Sequence, residues 1–273
     1  MSWNLLGILY IVCAVMCAAG FSNFVYFLSV GYGLAVAGGG IAVFIMYLIN
    51  PTETPVWLVL IQMLLFVAYG ARLSGFLLIR EFKNASFRKT DVAKESLAKN
   101  DEKKMPIFVL VFIWIFVAAL YVMQVSPVLF RWRNASTDLV VPIIGIVISV
   151  CGLLLESLAD KQKSAQKKVN PKMVATQGLY KLVRCPNYLG EIIFWTGVFV
   201  AGLTTYQGVG QWIFAVLAYI AIVYIMFNGA QRMEKRQMKQ YGHLKEYNEY
   251  ADKTPIILPF LPIYHLNGKG ETK

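Results

Sequence analysis

Seven apolar runs divide the chain: Leu5 to Phe21, Phe24 to Ile49, Val56 to Ile79, Ile107 to Phe130, Leu139 to Leu158, Leu189 to Leu203 and Trp212 to Phe227. At 1.5 Å per residue most of them can cross about 30 Å of hydrocarbon, and few charges interrupt them. The pattern predicts an all-α fold, a polytopic integral membrane helical bundle of about seven transmembrane helices. At Ser22 and Asn23 a tight helical hairpin and one long bent segment fit the residues equally well. The last two runs are short, so their ends are expected to extend into polar residues that face protein. Gly31, Gly33 and the run Gly38 to Gly40 lie inside an apolar run with no strand before them. They predict close helix packing and not a phosphate loop.

Composition agrees. Of 273 residues 58% are hydrophobic and 15% charged, where soluble domains carry about 25% charged residues. An ordinary soluble protein is excluded, and residues 1–273 read as one membrane domain. A net charge of +11 would suit nucleic-acid binding in a soluble chain, but here the basic residues sort by loop. Arg80 to Lys104 holds 8 Lys and Arg, Lys161 to Arg184 holds 7, and the chain after Gln231 holds 8. Only Arg131 and Arg133 fall in the intervening loops, and Arg72 lies within a run. By the positive-inside rule the three basic segments and the C-terminus are cytoplasmic, and the N-terminus and the Glu53 loop face the other side. A bacterial inner membrane and the endoplasmic reticulum both fit. No basic residue precedes the first run, which predicts a retained helix and not a cleaved signal. The charged stretch between Phe82 and Lys104 is expected to be a solvated or surface helix. Cys13, Cys17, Cys151 and Cys185 form no CxxC pair, so neither a disulfide framework nor a metal site is expected.

Polar side chains within or bordering the spans are costly there and carry the candidate chemistry. Tyr69 and Arg72 share a face of the third helix, Glu156 and Asp160 leave the fifth, and Asn187 and Glu191 begin the sixth. A purely structural pairing of Arg72 with Glu156 or Glu191 is the alternative. Lys161, Lys163, Lys167 and Lys168 continue from Asp160, a mixture suited to a polyanion with a sugar. Pro186 can start a helix whose N-terminus, beside Arg184, forms an anion site. From Gln231 to Tyr250 a basic, tyrosine-rich amphipathic helix is expected. The Thr-Pro-Ile-Ile-Leu-Pro-Phe-Leu-Pro that follows could dip back into the interface.

These motifs resemble the steroid 5α-reductase family over roughly Glu156 to Pro262. They are Glu-Ser-Leu-Ala-Asp160-Lys-Gln-Lys, Gly178-Leu-Tyr, Asn187-Tyr-Leu-Gly-Glu191 with Trp195, and the tyrosine-rich ending. The resemblance implies a seven-helix membrane reductase that binds NADPH on its cytoplasmic side and reduces a carbon–carbon double bond conjugated to a carbonyl. It implies cofactor contacts at Asp160, Lys167, Tyr180, Asn187, Glu191, Trp195, Arg232 and Arg236, to which the local reading adds Arg184. It places the catalytic phenol at Tyr69, with Arg72 near it. Residues 1–155 would then form the substrate side, 156–262 the cofactor region and 263–273 a tail. Partners would be membrane lipids and a lipid-soluble enone, with no metal and no nucleic acid.

Three positions depart from the pattern. The family's early-helix acid has no counterpart before Tyr69 except Glu53, Glu156 stands where an asparagine is expected, and Cys185 replaces the histidine of Arg-His-Pro-Asn-Tyr. The rival reading is an S-adenosylmethionine-dependent methyltransferase of the isoprenylcysteine or phospholipid type, which shares an Arg-His-Pro-x-Tyr segment. A non-enzymatic lipid-binding protein is the third. The residues leave the substrate and oligomeric state open.

Overall fold

The structure, a computed structural model, describes residues 3–22, 24–84, 106–171 and 173–267. In chain order they form α1 (Trp3–Cys17), 3-10 turns at Ala18–Phe21 and Phe24–Leu28, α2 (Val30–Ile49), α3 (Val56–Asn84) and α4 (Ile107–Arg133). Then come α5 (Val140–Val169), a 3-10 turn (Gly178–Lys181), α6 (Pro186–Gly202), α7 (Gly208–Tyr241) and α8 (Lys245–Lys253). No strand occurs among the described residues. Each apolar run has become a helix, and the first two are separate helices. Among the described residues six helices, all but α6 and the short α8, are long and apolar enough to cross a membrane. Helix α6 has 17 residues, about 26 Å at the helical rise. The surface helix expected up to Lys104 lies, beyond Asn84, outside the described residues.

Three helices outrun their apolar stretches: α3 to Asn84, α5 to Val169 and α7 to Tyr241. A helix leaving hydrocarbon for water loses nothing by continuing through Lys, Gln and Glu, which are good helix formers. The amphipathic helix expected over 231–250 is therefore split. Helix α7 runs through to Tyr241, the chain turns at Gly242, and α8 starts at Lys245. A Cβ at Gly242 would stand 2.5 Å from the Met238 carbonyl, so this turn admits no side chain.

The chain forms two compact units, Met1–Leu139 with Gly202–Ala218, and Val140–Ala201 with Tyr219–Lys273. In the first, α2 packs against α1, α3 and α4. Its glycines make that packing close. A Cβ on Gly33 would lie 2.9 Å from the Gly70 carbonyl, one on Gly40 3.0 Å from Phe66, and one on Gly39 3.2 Å from Val125. The expectation that these glycines serve helix packing is met.

The loops of the first unit are pinned by polar bonds. Arg131, fully buried, donates to Asp138 Oδ1 at 3.0 Å, and Thr204 donates to Asp138 Oδ2 at 2.5 Å. Burial opposes ionisation of Asp138, but the bonds from Thr204 and Arg131 outweigh it and hold this carboxyl below its ordinary value. The Asn134 amide donates to Thr205 O at 2.6 Å and to Gln211 Oε1 at 2.8 Å.

In the second unit α5 and α6 run antiparallel through small residues. Gly145 lies against Gly197 and Ala201, Gly152 against Gly190 and Phe194, and Ser149 donates to the Phe194 carbonyl at 3.0 Å. This is the small-residue packing that lets helix backbones approach in a membrane. Helices α6 and α7 meet at Thr196 and Tyr219, whose hydroxyls are 2.9 Å apart, and at the stacked rings of Phe199 and Tyr219.

Candidate functional site

The polar extension of α5 organises the chain that follows it. Gln166 Oε1 accepts the backbone N–H groups of Thr176 and Gln177, each at 2.9 Å, and Gln162 Oε1 accepts that of Leu179 at 2.8 Å. Gly178, at φ +68°, makes the turn between them in a region L side chains avoid. The 3-10 turn is thereby laid back on α5, and the buried Tyr180 hydroxyl donates to Ala159 O at 3.3 Å. Tyr250 of α8 donates to the Tyr180 carbonyl at 2.6 Å. Burial pushes both phenols up, so each remains an O–H donor.

These elements enclose a cavity of ≈ 320 Å³ within the second unit. Helix α5 contributes Lys163 and Lys167, the returning loop Val174, Ala175 and Tyr180, and the start of α6 Arg184 and Asn187. One face of α7 supplies Met233, Arg236, Gln237, Gln240 and Tyr241, and α8 supplies Tyr250. The lining is cationic and amide-rich. Lys167 Nζ donates to the carbonyls of Pro171 and Met173 and, at 2.7 Å, to the Tyr241 hydroxyl, and it lies 4.9 Å from the Tyr241 ring centroid. All these partners are neutral.

Arg184 is placed differently. Its buried guanidinium donates to Glu234 Oε1 at 2.6 Å and to the Tyr264 carbonyl. Glu234, also buried, accepts the backbone N–H of Leu266 at 2.9 Å and of Asn267 at 3.0 Å, and the Asn267 amide at 2.9 Å. Nδ1 of His265 lies 3.1 Å from Glu234 Oε1, while its Nε2 lies 2.8 Å from Asp252 Oδ1. Arg184 thus joins the cavity wall to residues 264–267, with its charge met by a carboxylate. Beside it Cys185 is a buried thiol pushed up to about 12 by burial.

Of the nine residues expected to hold a cofactor, Lys167, Tyr180, Arg184, Asn187 and Arg236 line this one cavity. Asp160 lies close enough to act electrostatically on Lys163 and Tyr180. Glu191 and Arg232 act on Tyr188, whose ring stands 3.3 Å from a Cβ built on Gly229 of α7. Trp195 is buried two turns along α6, edge-on to Phe194. Lys163, which the sequence reading placed in the cationic stretch after Asp160, also lines the cavity, whereas Gln237, Gln240, Tyr250, Glu234 and His265 were given no site role from the sequence. Helical spacing held a signal for three, since Lys163 is one turn before Lys167 and Gln237 and Gln240 continue the Arg236 face.

Tyr69 and Arg72 belong to the first unit. Tyr69 is fully buried on α3, and its ring meets that of Tyr32 edge-on at 5.7 Å. Tyr32 stacks on Tyr121 at 4.9 Å, and the Tyr121 hydroxyl donates to Phe27 O at 2.5 Å. Arg72, a turn further on, is half-buried. Glu53 is exposed in the loop before α3, and Tyr69 lies about 20 Å along that helix from its first turn, so Glu53 does not assist the phenol.

A family described as a protein of unknown function, DUF1295, matches residues 33–254. The Steroid 5-alpha-reductase DET2 of Gossypium hirsutum is 24% identical over 136 residues, 49% of this chain and 44% of that protein. The chain therefore spans under half the length of that curated relative. No solved structure matches significantly. The resemblance to steroid 5α-reductases read from the motifs is thus met by a distant relative of that name.

Proposed function

For a chain that belongs to the DUF1295 family, we propose a membrane reductase that uses NADPH to saturate a carbon–carbon double bond conjugated to a carbonyl in a lipid-soluble substrate. The observation that carries this reading is the cationic cavity of the second unit, lined by five residues that the family resemblance and the local reading had singled out. Its ≈ 320 Å³ falls within the range of about 300–1,000 Å³ common for ligand pockets, sufficient for the phosphate and ribose portion of a dinucleotide. The donor set fits such a group. Lys163, Lys167 and Arg236 would hold phosphates, the amides of Asn187, Gln237 and Gln240 would bond sugar hydroxyls, and the Tyr180 and Tyr250 rings, their O–H groups bonded to protein carbonyls, shape the wall. Several cations favour the extra phosphate of NADPH over NADH.

When bound, the cofactor would supply hydride to the β-carbon of the enone, and a proton from water would complete the α-carbon. The chain's own part is electrostatic. Negative charge develops on the substrate carbonyl oxygen, and the Tyr69 phenol donates a hydrogen bond to it, a contribution of about 3–4 kcal/mol for one such donor. Arg72 stabilises negative charge growing on that phenol. A lipid-soluble substrate would enter from the bilayer, and the cationic cavity would face the cytoplasm, the side that the basic segments select.

Ligand stabilisation of detergent-purified protein tests the reading. NADPH at 100 times its Kd is expected to add about 2.7 kcal/mol and to raise the melting temperature more than NADH does at equal concentration. Stabilisation by S-adenosylmethionine and by neither nicotinamide nucleotide overturns it in favour of a methyltransferase.

A further inference from the structure

The segment after α8 folds on itself. Ile256 donates its backbone N–H to Ile263 O at 2.9 Å, Leu261 to Leu258 O at 3.3 Å, and Ile263 to Leu261 O at 2.7 Å. The result is a small loop with a buried base and a bare tip. Ile256 and Ile257 are 1% and 0% exposed, whereas Phe260 is 95% and Leu261 46% exposed. From Thr254 to Tyr264 the chain carries no charge. Ile256 and Ile257 fix the base, so the tip is held outward and not left there by fraying.

The loop's height along the helices is fixed by its partners. Arg184 N donates to Pro255 O at 2.8 Å and Cys185 N to Ile256 O at 2.9 Å, so the base is bonded to the residues immediately before α6. Helix α6 lies antiparallel to α5, with Gly197 opposite Gly145 and Ser149, and Gly190 opposite Gly152 and Glu156. The start of α6 is therefore level with the turn of α5 just past Glu156. There the exposed apolar side chains Leu154 and Leu158 give way to exposed Lys161. In a helix that crosses a membrane, this change marks the boundary between hydrocarbon and headgroups. Leu182, 60% exposed and two residues before Arg184, presents a second bare apolar side chain at the same level, beside exposed Lys181.

We propose that the Leu258–Pro262 loop is a membrane-interface anchor, with Phe260 and Leu261 inserted among the headgroups and upper acyl chains. Its partner is lipid because the exposed apolar tip springs from a base at the level where the exposed Leu154, Leu158 and Leu182 adjoin exposed lysines. Lys181 and Lys253, which flank the two apolar segments in sequence, complement anionic headgroups. The anchored segment also carries Tyr264 and His265 to Arg184 and Glu234, so lipid contact at the tip holds residues 264–267 against the cavity wall.

The test uses Phe260→Cys in a chain whose exposed Cys151 is replaced by Ala, labelled with the fluorophore NBD in nanodiscs of phosphatidylcholine and phosphatidylglycerol. Cys13, Cys17 and Cys185 are buried and are not labelled. Lipid-borne nitroxides near the headgroup are expected to quench the label. Aqueous iodide is expected to quench it several-fold less than a label at Lys245→Cys, a site whose side chain is 89% exposed. Iodide quenching equal to that at position 245 overturns the proposal. So does protection from both quenchers, which means that a second copy of the protein covers the tip. Phe260 makes little contact with the chain, so its replacement spares the fold, and Leu261→Cys gives a second probe of the same tip.

Discussion

Glu234 gathers hydrogen bonds from Arg184, Leu266 and Asn267 and lies against the His265 ring. Its partner Arg184 has a side chain only 1% exposed, so Glu234→Ala strands a cation where water cannot reach it. Removing one member of a buried pair costs about 3–5 kcal/mol. The melting temperature of Glu234→Ala is expected to fall steeply, whereas Glu234→Leu combined with Arg184→Met recovers much of the loss. Thermal melting of the two variants in one detergent checks this, and equal melting of both refutes the pairing argument. Sequence reading had aimed Arg184 at an anionic ligand, because a basic residue beside a helix start is legible locally. The glutamate that meets it is fifty residues away and sits in a run of mixed charge, where nothing marks it. Tyr69 was legible as a polar residue inside an apolar helix, but its ring partners Tyr32 and Tyr121 come from other helices. Under the proposed chemistry Tyr69→Phe keeps NADPH-induced stabilisation and loses turnover by about 10²–10³-fold, the effect of removing one donor from developing oxyanion charge. Single-turnover assays with an enone substrate, run beside thermal shifts, measure the two separately.

At the scale of elements, helix positions followed from the apolar runs, and helix lengths did not. Hydropathy ends where water begins, but hydrogen bonding along the backbone carries α5 eleven residues beyond Leu158, to Val169, before it stops. That extension positions Lys163 and Lys167 and, through Gln162 and Gln166, folds the next loop back. The glycines of α2 announced close packing by their density. The α5 and α6 contact was silent in the sequence because its small residues, Gly145, Ser149, Gly152, Gly190 and Gly197, are spread over two helices. Position decides what a methyl group does there. A Cβ at Gly197 meets the backbone and hydroxyl of Ser149, whereas one at Gly7 meets nothing within 4 Å. Gly197→Ala is expected to destabilise by about 1–3 kcal/mol through overpacking. Gly7→Ala is expected to be neutral or to gain up to about 1 kcal/mol from helix propensity. Parallel melts of the two variants read the contrast, and equal effects would mean that α5 and α6 are not in close contact.

For the whole molecule, the sorting of basic residues carries an orientation. Lys and Arg accumulate from the end of α3 to the start of α4, from the polar end of α5 to the start of α6, and from the polar end of α7 onward, while Arg131 and Arg133 fall at the other end of α4. The structure refines the weight of these two. Arg131 is buried and paired with Asp138, so it is an internal tie and contributes little free charge to its loop, which sharpens the asymmetry that the positive-inside rule uses. Under the proposed function the cytoplasm is the side that meets the cationic cavity, as a soluble nucleotide requires. Two engineered thiols, in a chain lacking exposed Cys151, test this in intact cells with a membrane-impermeant maleimide. Thr137→Cys, in the exposed turn before α5, is expected to react at once. Lys94→Cys, in the basic segment between α3 and α4, is expected to react only after the membrane is permeabilised. The opposite order would put the cavity on the face away from the cytoplasm, and a cytoplasmic nucleotide could not be its ligand.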